Sequence, residues 1–455
     1  MKKYFLYLVI ATIILAATSC KKFLDLKPID SPTEGTFYVD EKGLQAGVVS
    51  IYDGLQSTAL YGNNFLTMAE LRADNLTDNN PGAGGGVRYQ LDVFSETPAN
   101  TTLSETWLGF YTTIYRANVI LEKAPAINMD ATRKNQIIGQ ALFLRALSYF
   151  NLTRLWGKVP LITKIQSSEE ARANKRADTV AIYAQILNDL TTAIPKLPAT
   201  WVDAERGRIT SNAATALLGK VYLYQKNYLL AASTLQPLAT AIYAGTTLAL
   251  VPQTITFPNT LKTSKDIIFG VQYLLGGIGE AALQVNRYQN NSNNNVIALS
   301  PTLFEATDNR KTLVAPAASG LRPGKFNTPQ INNETSSDFP IIRCADVLLM
   351  YAEALNENAY PDVEALKALN AVRTNAVASL KSFILLPSQA SFRAAVYNER
   401  NIELALECDR WFDIIRTNQF TTLFPLVPVY RQLYPVPQVE IDNVTDKTGW
   451  QNTGY

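Results

Sequence analysis

The sequence predicts a mostly α-helical protein in which helical hairpins stack as a scaffold, with long loops and a few short strands. Three observations predict this class. Apolar residues recur at helical spacing in many segments. The segments between them include runs rich in asparagine and glycine. Strand-like apolar runs are short and few. With 455 residues, the chain can form one large domain or two intermingled ones.

The N-terminal segment has the pattern of an export signal. Lys2 and Lys3 precede an apolar run over residues 4–17, which is shorter than the ~20 residues that span a bilayer. The small residues before Cys20 resemble a bacterial lipobox, so we expect residues 1–19 to be a signal peptide and Cys20 to be fatty-acylated. The alternative is an ordinary cleaved signal with an incidental cysteine.

Three helices are predicted in the first part of the chain, over residues 41–60, 107–121 and 134–155, from apolar residues that repeat on one helical face. Gly157 stops the third helix. Residues 61–100 hold many asparagines and a triple glycine, which predicts long loops.

Helical hairpins are predicted further along the chain. One begins at Ser211, and its Leu218-Gly219-x-x-Tyr222 pattern resembles a tetratricopeptide repeat, in which small residues let two helices approach closely. A second pair covers residues 345–357 and 362–378. A single hairpin cannot bury its own apolar face, so such pairs should stack.

The remaining elements are shorter or C-terminal. Strand-like stretches cover residues 159–163, 267–273 and 340–342, and residues 276–295 are predicted to be a loop. A C-terminal helix is predicted over residues 391–416. The tail after Leu433 should be extended, because it contains two prolines.

Composition excludes several classes of function. The chain contains no histidine, which removes Ser-His-Asp and Cys-His catalysis and His-ligated metal sites. Chemistry that uses only carboxylates, such as glycoside hydrolysis, remains. Without Lys2 and Lys3, basic groups equal the 39 acidic ones, so nothing favours nucleic acid. Cys344 and Cys408 are expected to be small buried hydrophobes, with a disulfide as the alternative.

Several motifs follow one another along nearly the whole exported chain. They are CKKFLD at 20–25, FLRALSYF at 143–150, RLWG at 154–157, IRCADVLLMYAEA at 342–354, ERNIELA at 399–405, ECDRWFDIIR at 407–416 and LYPVP at 433–437. Each is weak alone, but in this order they resemble the SusD/RagB family of Bacteroidetes outer-membrane lipoproteins.

The resemblance implies a fold of tetratricopeptide-like pairs and a location on the outer membrane, facing outwards. It implies a SusC-type TonB-dependent β-barrel transporter as partner and no cofactor. Glycans or oligosaccharides are the usual ligands, and some relatives take peptides. The resemblance also implies that the protein is not an enzyme.

A sugar site combines aromatic faces with side chains that hydrogen-bond hydroxyl groups. Two predicted loop regions supply both, although for any single residue an ordinary loop role remains the alternative. The first region offers Tyr61, Asn63, Asn64, Arg72, Asp74, Asn75, Arg88 and Tyr89. The second offers Tyr273, Arg287, Tyr288 and Asn290. Neither region contains tryptophan, which leaves room for a peptide or a small polar oligosaccharide.

Charged residues cluster near the C-terminus. Two carboxylate pairs at i,i+4 spacing could serve a glycosidase, Glu399 with Glu403 and Asp409 with Asp413. We instead expect them to pair with Arg400, Arg410 and Arg416 and to tie this segment to the scaffold. We also expect Arg343 and Glu353 to form buried ion pairs. Three tryptophans on apolar helix faces are expected to pack in the core: Trp107, Trp156 and Trp411.

The predicted organisation has three regions after the signal peptide, at residues 20–200, 201–260 and 261–455. Four functions compete: a surface module that delivers glycan to a transporter, the same module with peptide cargo, a carboxylate-only glycosidase, and a helical scaffold that binds only proteins.

Overall fold

A computed structural model describes residues 37–78, 80–257, 263–274, 295–297, 299–314, 325–326, 330–331, 334–335 and 337–455. The predicted signal peptide, Cys20 and most of the second loop region lie outside the described residues. Elsewhere the chain is mostly helical with short strands, which confirms the predicted fold class.

The helices and strands are as follows. The helices are α1 (Glu41–Gln56), α2 (Asn64–Leu71), α3 (Val87–Asp92), α4 (Thr101–Lys123), α5 (Ala131–Trp156), α6 (Ser168–Ala173), α7 (Thr179–Ala193), α8 (Ser211–Tyr224), α9 (Tyr228–Ala244), α10 (Gln253–Thr256), α11 (Lys311–Val314), α12 (Cys344–Asn358), α13 (Val363–Asn375), α14 (Gln389–Glu403), α15 (Arg410–Arg416), α16 (Phe420–Leu423) and α17 (Gln438–Asn443). The strands are β1 (Leu76–Asp78), β2 (Val159–Pro160), β3 (Arg176–Ala177), β4 (Ile267–Val271), β5 (Asn295–Ile297), β6 (Gln330–Ile331), β7 (Glu334–Thr335) and β8 (Phe339–Arg343).

The first long helices pack together because their apolar faces match. Asp40 caps α1 by accepting a hydrogen bond from the Gly43 N–H at 2.8 Å. Helix α1 packs against α4, which packs against α5. The contact is close at Gly47, where a Cβ would lie 2.6 Å from Cδ1 of Ile120. The three helices predicted in this part of the chain are confirmed.

The predicted helical hairpins are also confirmed. Helix α8 packs on α9, and α12 packs on α13. At Gly219 a Cβ would lie 2.5 Å from Cγ of Leu235, so any larger residue would force the Leu235 side chain to move. Helix α9 packs in turn against α12, which joins the two hairpins into one scaffold.

The strands form four two-stranded antiparallel pairs, β1–β5, β2–β3, β4–β8 and β6–β7. The predicted strands near residues 159, 267 and 340 are present, with different lengths. In the β4–β8 pair, Ile267 lies opposite Arg343 and Val271 lies opposite Phe339.

Three secondary-structure predictions were wrong. The tail after Leu433, which was expected to be extended, contains helix α17. Residues 61–100 contain α2, β1 and α3 rather than loops alone. The predicted C-terminal helix is two helices, α14 and α15. Between them Leu406 and Cys408 have positive φ angles of 67° and 66°, which end the helical path.

The C-terminal carboxylates are buried and ion-paired, as predicted, but the partners differ from those expected: of the four, Asp413 alone pairs with Arg400 and Arg416, and Arg410 pairs with Asp74 instead. Glu399 and Glu403 each lie 2.7 Å from Nη1 of Arg310, and Glu403 also lies 2.7 Å from Nη1 of Arg343. Burial alone would raise the pKa of Glu403, but Arg343 and Arg310 outweigh it and lower the pKa to about 2.

The second carboxylate pair follows the same pattern. Asp413 is held by Arg400 at 2.8 Å and by Arg416 at 2.7 Å. Asp409 lies 2.6 Å from the ammonium of Lys220 on α8. All four carboxylates are buried. These ion pairs therefore connect the C-terminal segment to the hairpin scaffold.

The remaining predictions for the core are confirmed. Arg343 and Glu353 are buried and ion-paired, Glu353 with Arg416. Trp107, Trp156 and Trp411 lie in the core. Cys344 and Cys408 are buried free thiols.

Among the helices that the structure describes, none is both long and apolar enough to cross a membrane.

Candidate ligand-binding face

The two predicted loop regions meet in the structure. Strand β1 from the first region pairs with β5, at the end of the second region, with Leu76 opposite Ile297 and Asp78 opposite Asn295. Chain segments far apart in sequence are therefore adjacent at this edge. We call the surface formed by residues 74–92 and β5 the loop face.

Five of the predicted ligand residues are buried, and their role in ligand contact stays a prediction. Tyr61 is 3% exposed, and its hydroxyl accepts a hydrogen bond from Asn151 at 3.0 Å. Asn64 donates to Glu105 at 2.7 Å. Asn75 and Tyr273 are each 1% exposed. These side chains are buried and face the protein interior rather than solvent.

Arg72, the fifth, is entirely buried. Its guanidinium donates two hydrogen bonds to Glu96, at 2.5 and 3.0 Å, and one to the carbonyl of Arg431 at 2.7 Å. The rings of Phe94 and Tyr434 lie 4.4 and 4.3 Å from its Cζ. Arg72 thus holds the C-terminal tail against the first loop region.

Four predicted residues are partly accessible. Asp74 receives two hydrogen bonds of 2.6 Å from Arg410, and Arg88 donates to Asp78 at 2.8 Å. Asn63 and Tyr89 are partly exposed. Of these four, Arg88, Tyr89 and Asp74 lie within the loop face and stay candidates for ligand contact.

Arg287, Tyr288 and Asn290 lie outside the described residues. Their predicted role in the site stays a prediction.

Two acidic residues that sequence reasoning missed brace the loop face. Asp78 accepts hydrogen bonds from Arg88 and from the Asn80 N–H at 2.9 Å. Asp92 accepts one from the Asp78 N–H at 3.1 Å. Burial raises the pKa of Asp92 to about 6, with the neighbouring Asp78 charge adding to the shift. In the sequence, Asp78 and Asp92 lie on either side of the triple glycine, and this position could have drawn attention to them.

The triple glycine forms the tip of the loop face. Gly84, Gly85 and Gly86 have φ angles of 58°, 71° and 77°, which glycine adopts freely. A Cβ at Gly84 or Gly85 would meet nothing within 4 Å. Main-chain peptide groups are therefore open to a ligand at this tip, where they can bond sugar hydroxyls.

The loop face is fixed to the C-terminal half by long-range contacts. Glu70 Oε1 accepts a hydrogen bond from the Cys408 N–H at 2.5 Å. Arg410, two residues further on, holds Asp74. Burial raises the pKa of Glu70 to about 7, although the bond from Cys408 opposes the shift. In the described part of the chain, no group of acidic or cysteine side chains could hold a metal ion.

Comparisons with known protein families agree over most of the chain. A family described as "Starch-binding associating with outer membrane" matches residues 22–223, and the SusD family matches residues 253–425. SusD-like protein P25 of Formosa agariphila is 25% identical over 97% of this chain and 98% of its own. SusD-like protein P2 of the same organism is 27% identical, with 91% of each chain covered.

Solved structures show the same fold. The structure of a protein described as a "Laminarin binding SusD-like protein" is 27% identical and has a TM-score of 0.76, with 92% of this chain and 100% of that chain covered. Surface glycan-binding protein A from Bacteroides fluxus has a TM-score of 0.79, with 92% of this chain and all of that chain covered. It is 22% identical, so it supports the fold alone.

Proposed function

This chain belongs to the SusD/RagB family, and from that membership we propose that it is a cell-surface glycan-binding lipoprotein that passes its ligand to a SusC-like TonB-dependent transporter. The observation that carries the proposal is the match of two consecutive SusD-family regions over most of the chain. The pairing of β1 with β5, which joins two polar loop regions, supports the position of the site.

The proposed anchor is the acylated Cys20, reached after removal of residues 1–19. Members of this family associate with the outer membrane. Several acyl chains on one cysteine bind a membrane far more strongly than one. An outward orientation places the loop face where it can meet extracellular glycan and the transporter.

The proposed ligand is a neutral oligosaccharide. The laminarin-binding structure makes laminarin oligosaccharides the first candidates. The loop face offers Tyr89, Arg88 and the glycine tip, a combination of ring surface and hydrogen-bonding groups that suits a sugar.

Isothermal titration calorimetry of the purified full chain tests this. The panel is laminarin oligosaccharides, malto-oligosaccharides and mixed short peptides. We expect at least one glycan to bind. Binding of peptides alone would replace the proposal with a peptide-binding module of the same transport system.

A matched pair of variants locates the site. Tyr89→Ala removes the half-buried ring of the loop face, whereas Tyr115→Ala removes a 49% exposed ring on α4, outside that face. Loss of one aromatic contact should weaken glycan binding by about tenfold in Tyr89→Ala. Equal affinity in both variants would refute the position of the site.

The proposal includes no catalysis. All four C-terminal carboxylates that could have served a glycosidase are buried and bonded to arginine or lysine. Release of reducing ends from a bound glycan would contradict this part of the proposal. Co-purification of a β-barrel transporter would support the proposed partner.

A further inference from the structure

Two neighbouring cavities lie away from the loop face, between the segment that follows α7 and strand β4. Their volumes are about 370 and 180 Å³. They share one wall, formed by Arg206, Gly207, Arg208, Phe269, Gly270 and Gln272. The larger volume falls in the range of small-molecule sites. None of the residues predicted for the loop face lines either cavity.

The larger cavity has an excess of positive charge. Three cations line it, Arg206, Arg208 and Lys265, against one acid, Asp338. Asp338 is buried and already accepts the Tyr273 N–H at 2.9 Å. Asp203 and Glu205 pair with Arg206 and Arg208 from outside the lining, so an anionic ligand is favoured where it can displace such a partner.

Arg206 can exchange its present partner for a ligand. It lies 2.5 Å from Asp203, but the two side chains are 48% and 89% exposed. Such surface pairs contribute little because water competes for both charges. A carboxylate that enters the cavity would offer the guanidinium a better shielded, two-pronged partner.

Hydrogen bonds fix Arg208 and Trp201, which line the cavity beside Arg206. Arg208 donates to Gln140 at 3.2 Å and lies 3.5 Å from Glu205. The indole N–H of Trp201 donates to the carbonyl of Ile209 at 2.8 Å. Because that polar group is satisfied, the part of Trp201 that lines the cavity offers apolar ring surface, which suits the C–H groups of a sugar.

Gln272 stands where the two cavities meet. Its side-chain amide packs against Gly207, where a Cβ would lie 2.5 Å from the amide carbon. Gly207 has a φ of 98°, so glycine is favoured there for its conformation as well. An amide in this position can bond hydroxyl groups of a ligand that extends from one cavity into the other.

We propose that these cavities form a second binding site, for an anionic saccharide of one or two residues. Its acidic group binds Arg206 and Lys265, its ring rests against Trp201, and its hydroxyl groups bond Gln272. The site is separate from the neutral-glycan site of the loop face and does not depend on it.

The test compares acidic and neutral galactose-based sugars of one or two residues, with galactose included as the neutral counterpart of the sulfated monosaccharide. Digalacturonic acid, galactose 6-sulfate, digalactose and galactose are titrated into the purified full chain by calorimetry. We expect digalacturonic acid or galactose 6-sulfate to bind at least about tenfold more tightly than its neutral counterpart. Whichever anionic sugar binds more tightly shows whether the ligand comes from a carboxylated or a sulfated glycan. Binding should weaken with added salt.

Variants assign the binding to the cavities. Arg206→Gln should weaken binding of the charged sugar at least about tenfold, because one charge-assisted interaction is lost. Arg172→Gln on the exposed surface of α6 removes the same charge outside both cavities and should change nothing. Both arginines are exposed, so neither change should prevent folding.

Three results would overturn the proposal: no binding of either anionic sugar, equal binding of charged and neutral sugars, or equal effects of the two arginine variants. Loss of anionic-sugar binding in Tyr89→Ala would show that the loop face is responsible instead. If laminarin and other neutral glycans fail to bind while an Arg206-dependent anionic sugar binds, the second site stands and the proposed function fails.

Discussion

Replacing Arg72 by methionine should destabilise the fold substantially, because it leaves the buried carboxylate of Glu96 without its main partner. Arg72 is fully buried and supplies two of the bonds to Glu96. Breaking such a pair costs about 3–5 kcal/mol. Arg431, at 3.1 Å, and the Tyr455 hydroxyl, at 3.0 Å, still contact Glu96. We therefore expect the lower end of the range, about 3 kcal/mol.

Urea unfolding followed by circular dichroism measures this loss as a lower midpoint at unchanged slope. The double variant Arg72→Met/Glu96→Gln removes the stranded charge and should recover more than half of the loss. Arg172→Met on exposed α6 is the control and should change stability by less than about 0.5 kcal/mol. A loss below about 1 kcal/mol in the single variant, or no recovery in the double one, would refute the reasoning.

Three further predictions concern pH, helix packing and the anchor. Burial raises the pKa of Glu70 from 4.5 to about 7, so its contribution to stability is present below pH 4.5 and is lost as the pH rises through 7. Glu70→Gln should therefore gain stability relative to the parent between pH 5 and 8 in urea titrations, and an unchanged difference would exclude this role. Gly219→Ala should cost about 1–3 kcal/mol by overpacking, and in a double-mutant cycle followed by thermal unfolding it should cost less in a Leu235→Ala background than in the parent. Cys20→Ser should abolish incorporation of radiolabelled palmitate and release the protein from membranes, whereas a variant that stays membrane-bound would contradict the proposed lipid anchor.

Helical periodicity predicted the long helices because each buries one face and exposes the other. It failed for α2, whose eight residues are all buried, so no polar face marked the helix. It also failed at the break between α14 and α15. Leu406 and Cys408 have positive φ there although neither is glycine, and their composition carries no turn signal.

For the candidate site, sequence reasoning located segments better than it located exposed side chains. Polar composition drew attention to two segments that β1 and β5 bring together. It could not separate residues that face solvent from those that face a buried partner. The sequence suggests that Arg72 is an exposed cation on a loop. Its partner Glu96 lies 24 positions further along the chain, and the two side chains form a buried ion pair. The predicted region boundaries and the ligand roles of the second loop stay predictions.

The C-terminal motif has a structural consequence for ligand binding at the other end of the chain. Cys408 fixes Glu70 through its N–H, and Arg410 fixes Asp74 through a two-pronged bond. The positive φ at Cys408 lets two residues so close in sequence contact both ends of the segment that leads into β1. The same stretch includes Asp409, which Lys220 of the hairpin scaffold holds. The position of the loop face is therefore set by the scaffold, through residues that no ligand needs to touch.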